Sequence, residues 1–220
     1  RCLAERIREE GLKVVGVPTS TRTAELAASL GIPLATLDDV KWLDLTIDGA
    51  DEFDPHLALI KGGGAALLQE KIVATASDQM IVITDAAKEV TQLGAFPLPV
   101  EVVPFGWQTT KALIEETLVS LDVLNRDCTL RMNGARPLVT DEANYIIDLH
   151  LKRIGNPRQL AMVLNQIPGV VENGLFIDIC DIVVIGHGDG RVTVRDINAG
   201  SETDDRILFA PTDNIFADME

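Results

Sequence analysis

Asp48-Gly49-Ala50-Asp51-Glu52, then Lys61-Gly62-Gly63-Gly64, then Glu70 crowd acids, an ammonium group and a triple-glycine turn into one short segment, and that crowding limits the folds open to the chain. Leu43, Leu45 and Ile47 alternate with Asp44, Thr46 and Asp48, the period of a strand, and Gly49 ends it. A second apolar run, Leu57 to Ile60, stops at Lys61. The glycines that follow let the backbone take positive φ and bring its N–H groups close to a ligand. Ala65 to Ala76 is helix-forming throughout, and its first N–H groups lack intrahelical partners. Such a corner suits an anion or a developing oxyanion. In open α/β sheets, moreover, ligands bind outside the carboxyl ends of the strands.

Glu70 falls inside that helix, and its neighbours one turn away are Ala66, Leu67, Val73 and Ala74, none of them charged. A carboxylate in apolar surroundings has its ionised form disfavoured and its pKa raised, which suits a general base working near neutral pH. An ion pair with Lys61 or Lys71 on a half-exposed helix face is the plain alternative. Asp-Gly and Gly-Ala-Asp mark turns as often as sites. What favours a site is coincidence, since two acidic strand ends, a lysine, a glycine cradle and a glutamate share one βα-type unit.

Thr23 to Leu30 and Ala65 to Ala76 read as helices, and Val14 to Val17, Leu43 to Ile47, Leu57 to Ile60 and Met80 to Thr84 as strands. That alternation is the pattern of an α/β fold with a Rossmann-like parallel sheet. Near Pro104 the organisation changes. A helix near Thr109 to Leu121, strands near Thr129 to Met132 and Tyr145 to Leu151, a helix over Pro157 to Gln166 and a strand-like Val170 to Phe176 follow in the order αββαβ. The expected division is an α/β catalytic domain over 1–106 and 180–220, with a smaller α+β (ferredoxin-like) domain over 107–179 inserted in it. Asn156 and Pro157 mark a helix start as N-cap and first helical residue. Asp181 to Ile185 reads as a strand returning to the first domain, and Gly186-His187-Gly188-Asp189-Gly190 as a hairpin turn, because no helix follows it. The acidic tail 196–220 keeps Ile207, Leu208, Phe209, Ile215 and Phe216, so it is expected to pack on a neighbouring surface or subunit.

Composition narrows the function. With 19 basic against 34 acidic residues the net charge is −15, which disfavours nucleic acid and anionic membranes as partners. No apolar stretch reaches the roughly 18 residues a membrane span needs, so a soluble, cytoplasmic protein is expected. Cys2, Cys128 and Cys180 are odd in number and lack ligand spacing, which argues against a disulfide framework or zinc site and for buried thiols. His56, His150 and His187 stand singly and are expected to be structural.

The phrases around Asp48 and Lys61, together with Glu70-Lys71-Ile72, Phe96-Pro97-Leu98-Pro99-Val100-Glu101-Val102 and Ile167-Pro168-Gly169-Val170-Val171, closely resemble ribose-5-phosphate isomerase of the A type, over about Val14 to Val194. The resemblance implies interconversion of ribose 5-phosphate and ribulose 5-phosphate through an enediolate, in the non-oxidative pentose phosphate pathway. It also implies no metal or organic cofactor, and a homodimer or homotetramer. Glu70 matches the family's proton acceptor. Asp48, Gly49, Ala50 and Asp51, with Lys61, Gly62, Gly63 and Gly64, match its sugar-binding loops. By charge and position Asp48, Asp51 and Lys61 would share ring opening and stabilisation of the enediolate oxygen. Lys88, after the turn Asp85-Ala86-Ala87, matches a family lysine at the substrate site, with phosphate as its expected contact.

Members of the family begin with a strand, a Gly-Thr-Gly-Ser-Thr loop and a helix that cradle the phosphate, and no such segment precedes Val14. Residues 1–10, with Leu3 and Ile7 at helical spacing, read as the tail of that helix, so the sequence is expected to be a truncated, cleaved or partial form of a longer protein. Two other functions stay open from sequence. One is a sugar-phosphate-binding regulatory domain, which would not need Glu70 as a base; the other is an amino-sugar-phosphate isomerase-deaminase on a related scaffold.

Overall fold

The computed structural model describes residues 2–206. Helices α1 (Cys2–Glu10), α2 (Thr21–Ser29) and α3 (Leu37–Val40) come first. Ser20 caps α2 by accepting from the Thr23 N–H at 3.2 Å, and Thr36 and Asp39 cap α3 reciprocally. The strand expected over Val14 to Val17 shrinks to a single parallel bridge between Gly16 and Leu34. Pro18 and Pro33 lack the N–H groups that would extend it.

Strand β1 (Thr46–Asp48) is followed by β2 (Glu52–Phe53), β3 (Leu59–Ile60), α4 (Leu67–Thr75) and β4 (Met80–Asp85), with a 3-10 turn at Ala86–Lys88. Next come β5 (Leu98–Val102), α5 (Trp107–Leu118), β6 (Asp127–Leu130), β7 (Met132–Asn133), β8 (Arg136–Pro137), β9 (Tyr145–His150) and α6 (Pro157–Leu164). The last described strands are β10 (Val170–Asn173), β11 (Leu175–Phe176), β12 (Ile182–Gly186), β13 (Arg191–Asp196) and β14 (Ser201–Arg206).

The central sheet runs β1-β4-β12-β13-β14. Its first three strands are parallel and the last two pairings antiparallel, with the turn after Gly186 closing a β12–β13 hairpin as expected. β14 turns part of the acidic tail into an exposed edge strand, whereas Ile207, Leu208, Phe209, Ile215 and Phe216 lie outside the described residues. The run Leu57 to Ile60 does not join the parallel sheet. β3 instead pairs antiparallel with β2 and β11 in a small sheet of its own, because only the short turn Asp54 to Ala58 separates β2 from β3.

A four-stranded antiparallel sheet runs β10-β5-β9-β6. With α5 and α6 the chain order becomes βαββαβ, the ferredoxin-like arrangement. Its first strand is β5, which sequence reading grouped with the preceding α/β unit. Pro97 and Pro99 concealed it, since proline is unusual in a central strand; Pro99 is tolerated here, and its carbonyl accepts from the Gly174 N–H at 2.8 Å. The expected strand Val170 to Phe176 is in fact two, split at Gly174, which serve different sheets.

Two apolar cores result. One gathers Leu98, Val100 and Val102 with Ile147, Leu149, Ile114, Leu118, Leu160 and Leu164, between the antiparallel sheet and its helices. The other packs Phe53, Leu59, Ala74, Met80, Val82, Phe176, Val183 and Ile185 under the central sheet. Cys128 and Cys180 are buried as expected, but Cys2 is exposed. Among the described residues no helix is long and apolar enough to cross a membrane.

Candidate active site

Lys61 follows β3 directly, and its backbone N–H donates to the Gly174 carbonyl at 2.9 Å. A side chain at position 174 would place Cβ 2.3 Å from the Lys61 carbonyl oxygen, so only glycine lets the two chains cross so closely. The Lys61 side chain is 3% exposed, and its Nζ lies 2.6 Å from Gly49 O, 2.9 Å from Asp48 Oδ2 and 3.2 Å from Glu70 Oε2. An ammonium group taken out of water needs such partners, because its desolvation costs several kcal/mol. They come from the carboxyl end of β1 and from the first turn of α4.

Phe176 lies beneath this cluster, with its ring centroid 5.5 Å from Lys61 Nζ and 4.9 Å from Lys71 Nζ. The negative face of the ring is a favourable neighbour for both cations. Lys71 is held by Glu172 at 2.9 Å and donates to Asn173 O at 2.6 Å, which ties α4 to β10. Burial pulls the Lys71 ammonium below its usual range, against the opposing pull of Glu172.

Glu70 shares the inner face of α4 with Leu67, Val73 and Ala74, all buried, and its side chain is 16% exposed. Burial pushes its carboxyl above the ordinary range; Lys61 opposes the shift, while Asp48 and Asp51 add to it. Of the two partners open from sequence, Lys61 is the one Glu70 meets. Glu70 Oε2 and Asp48 Oδ2 face the Lys61 ammonium without a well-aligned hydrogen bond. A carboxylate raised by burial yet in contact with a cation can accept a proton and return it near neutral pH.

Asp51 Oδ2 accepts from the Gly63 N–H at 2.8 Å. A Cβ on Gly63 would fall 2.6 Å from Asp51 Oδ1, and Gly62 holds φ at +108°, so the loop geometry requires glycine at both places. The Gly64 N–H meets no acceptor among the described residues, and no side chain caps α4. These free donors lie at the start of α4, where negative charge is favoured.

Asp48, Gly49 and Glu70 therefore all meet the Lys61 ammonium, and Asp51 joins through the glycine loop. Ala50 links the two aspartates through the backbone. Lys88 stands apart from the cluster in the turn beyond β4, at the same sheet end as Asp48, whose register partner on β4 is Val82. No ion pair among the described residues engages its ammonium. Glu52 turns away from the site, accepting from the backbone N–H groups of Gly94 and Phe96. His150 and His187 bond Thr129 and Thr193 and stay outside it. Sequence reading missed Phe176 and Arg131. The latter reaches the glycine loop from a position 69 residues away from Gly62, a separation that leaves no local signal.

A cluster of this kind exchanges a proton with a small polar substrate while nearby donors hold the charge that develops; on a Rossmann-like α/β scaffold it defines an enzyme of acid–base chemistry. The family model of ribose 5-phosphate isomerase A (phosphoriboisomerase A) matches residues 15–190. A ribose-5-phosphate isomerase A from Ruegeria sp. (strain TM1040) is 74% identical over 219 residues, covering 100% of this chain and 84% of the relative. A solved D-ribose-5-phosphate isomerase in complex with phospho-erythronic acid is 42% identical with a TM-score of 0.81, covering 89% of this chain and 83% of that one. The Plasmodium falciparum enzyme, at 34% identity, superposes with a TM-score of 0.82 over 88% of this chain and 83% of its own. The chain belongs to the ribose 5-phosphate isomerase A family, the aldose-ketose isomerases that serve the pentose phosphate pathway.

Proposed function

We propose that Glu70, Asp48, Asp51 and Lys61 carry the isomerisation of ribose 5-phosphate to ribulose 5-phosphate. The observation that supports this most directly is the buried Lys61 ammonium shared by Asp48 and Glu70. In the open-chain aldose, Glu70 takes the proton from C2, and the electron pair moves into the C1–C2 bond. The C1 carbonyl oxygen then becomes the enediolate oxygen. Glu70 returns the proton to C1, while the O2 hydroxyl proton passes to the O1 oxyanion, leaving O1 a hydroxyl and O2 the ketose carbonyl.

Lys61 and the free Gly64 N–H supply donors for the charge on oxygen, the step at which preorganised donors contribute most. Asp48 and Asp51 stand where a sugar hydroxyl would be deprotonated or ring opening assisted, and Gly49, Ala50 and Gly62 to Gly64 shape the sugar site. Lys88, free of ion pairs among the described residues and at the same sheet end, is the phosphate contact in this reading. Incubation with ribose 5-phosphate and assay of ribulose 5-phosphate tests the whole reading. A folded protein that produces none would end it.

The reading extends to organisation. The βαββαβ unit from β5 to β10 would form the smaller domain, and the rest the catalytic one. A cytoplasmic homodimer or homotetramer fits the free cysteines and the exposed apolar side chains of Ile47, Ile83 and Phe105. Light scattering on the purified protein measures the assembly directly.

A further inference from the structure

We infer that Arg131 is a positioning residue for the isomerase site: the antiparallel unit uses its guanidinium to set the peptide planes of the glycine loop, so that the Gly63 N–H holds Asp51 and the free Gly64 N–H is aimed at the reacting oxygen. The inference rests on the function proposed above. Arg131 follows β6 and is fixed from both sides, its N–H donating to Ile146 O at 2.8 Å and its carbonyl accepting from Leu138 N at 2.9 Å. Its Nε donates to Asp148 Oδ2 at 2.8 Å, and its Nη2 pairs with the other oxygen of the same carboxylate. The fork is thus locked before it reaches the loop.

Nη1 then donates to Gly62 O at 2.7 Å and to Gly63 O at 3.1 Å. In a trans peptide the carbonyl and the next N–H point in opposite directions, and no cis peptide is present among the described residues. Holding the Gly62 carbonyl therefore sends the Gly63 N–H the other way, where Asp51 accepts it. Holding the Gly63 carbonyl sends the Gly64 N–H to the same side, where it has no acceptor among the described residues. Gly62 and Gly63 carry no side chains that could fix these peptide planes themselves. Arg131, at 15% exposure and bonded to Asp148 and the loop carbonyls, does it for them. Lysine cannot replace it, because a single ammonium cannot grip a carboxylate in fork geometry and two carbonyls together.

The test compares Arg131→Ala, Arg131→Lys and Asp148→Asn with wild type in the full-length protein, measuring kcat, KM and thermal midpoint. Arg131→Ala is expected to lower kcat by roughly 10- to 100-fold, the scale of a small misplacement of catalytic groups, with KM changed less than about threefold. Guanidinium ion added below denaturing concentration should restore part of that kcat, and Arg131→Lys should stay impaired. Asp148→Asn, which keeps the guanidinium but unlocks it, should lose a smaller part. A normal kcat in Arg131→Ala overturns the inference, as does full activity in Arg131→Lys, or a kcat loss that guanidinium cannot rescue and that merely follows the thermal midpoint. If Arg131→Ala does not fold, Asp148→Asn decides, and a wild-type kcat there overturns it. Wild-type protein inactive on ribose 5-phosphate would instead sink the function itself and this inference with it.

Discussion

Glu70 and Glu101 are both carboxyls held in a folded interior, and burial pushes both above the ordinary range. Their surroundings differ. Glu70 is 16% exposed and faces an ammonium that it shares with Asp48. Glu101, on β5, is fully buried; its Oε1 accepts from Thr140 Oγ1 at 2.8 Å and Asn144 Nδ2 at 3.0 Å, and its Oε2 has no partner. Among the described residues no cation pairs with it, and its charged neighbours Glu142 and Glu172 raise it further. A raised carboxyl alone therefore does not mark chemistry. Access for a substrate and a cation that tempers the shift do, because a base must be able to exist in both protonation states while the site is open.

The sharpest way to break this contrast is Glu70→Gln. The amide keeps the shape but cannot take a proton, so isomerisation should fall by about 10² to 10⁴, the usual contribution of a placed general base, while substrate affinity stays within about tenfold. Steady-state kinetics with a direct binding measurement checks both. Near-normal turnover would remove Glu70 from its role. With Glu70 as the proposed base, wild-type activity would require its ionised form, so the acidic limb of kcat/KM should lie above the ordinary carboxylate range, shifted in the direction burial dictates. A limb at the ordinary value would show that the site is wetter than its geometry.

Lys61→Met tests the other half. Removing the ammonium leaves Asp48 and Glu70 without their shared cation, and breaking a buried pair in this way typically costs about 3 to 5 kcal/mol. Chemical denaturation should register that loss. The pH–rate profile should move as well, since the group that opposed Glu70's upward shift is gone and its acidic limb must climb further. If stability fell and the limb stayed put, Lys61 would hold the fold without tuning the base.

The fold and the site were legible to different depths. Local signals carried α2, α4, α5 and α6, since capping residues and helix-forming runs act within a few residues, and the start at Asn156-Pro157 is where α6 begins. The parallel strands β1 and β4 were readable too, but for β1 the pattern hid which face is inward. Thr46 is the buried member, its hydroxyl 2.6 Å from Ser77 Oγ, whereas Ile47 is 57% exposed. β5 was concealed by its prolines, and β10 and β11 by an apolar run that gives no sign of the change of sheet at Gly174. Likewise the contact of Asp48, Lys61 and Glu70 could be suspected from their closeness along the chain. Phe176 and Arg131 could not, because what brings them in is the pairing of β11 with β3 and the docking of the antiparallel unit, both set by distant residues.

The smallest effect is the one that isolates Glu101. Glu101→Gln keeps an acceptor for Thr140 and Asn144 and cannot ionise, so isomerase activity should stay within about twofold. Stability should show the difference. A carboxyl whose folded pKa is raised binds its proton more tightly in the native state than in the unfolded chain, where it titrates near 4.3. Wild type therefore loses stability as pH rises from that unfolded value through the folded one, and recovers it as pH falls. The amide variant has no such group at position 101, so urea midpoints across this window should decline less with pH than those of wild type, by about 1.4 kcal/mol for each unit of upward shift. Parallel pH slopes in the two proteins would mean that Glu101 titrates as in water, and that the closed network of Thr140 and Asn144 admits solvent. Equal activity with unequal slopes would leave Glu101 a buried acid of the scaffold and Glu70 the one placed to meet substrate.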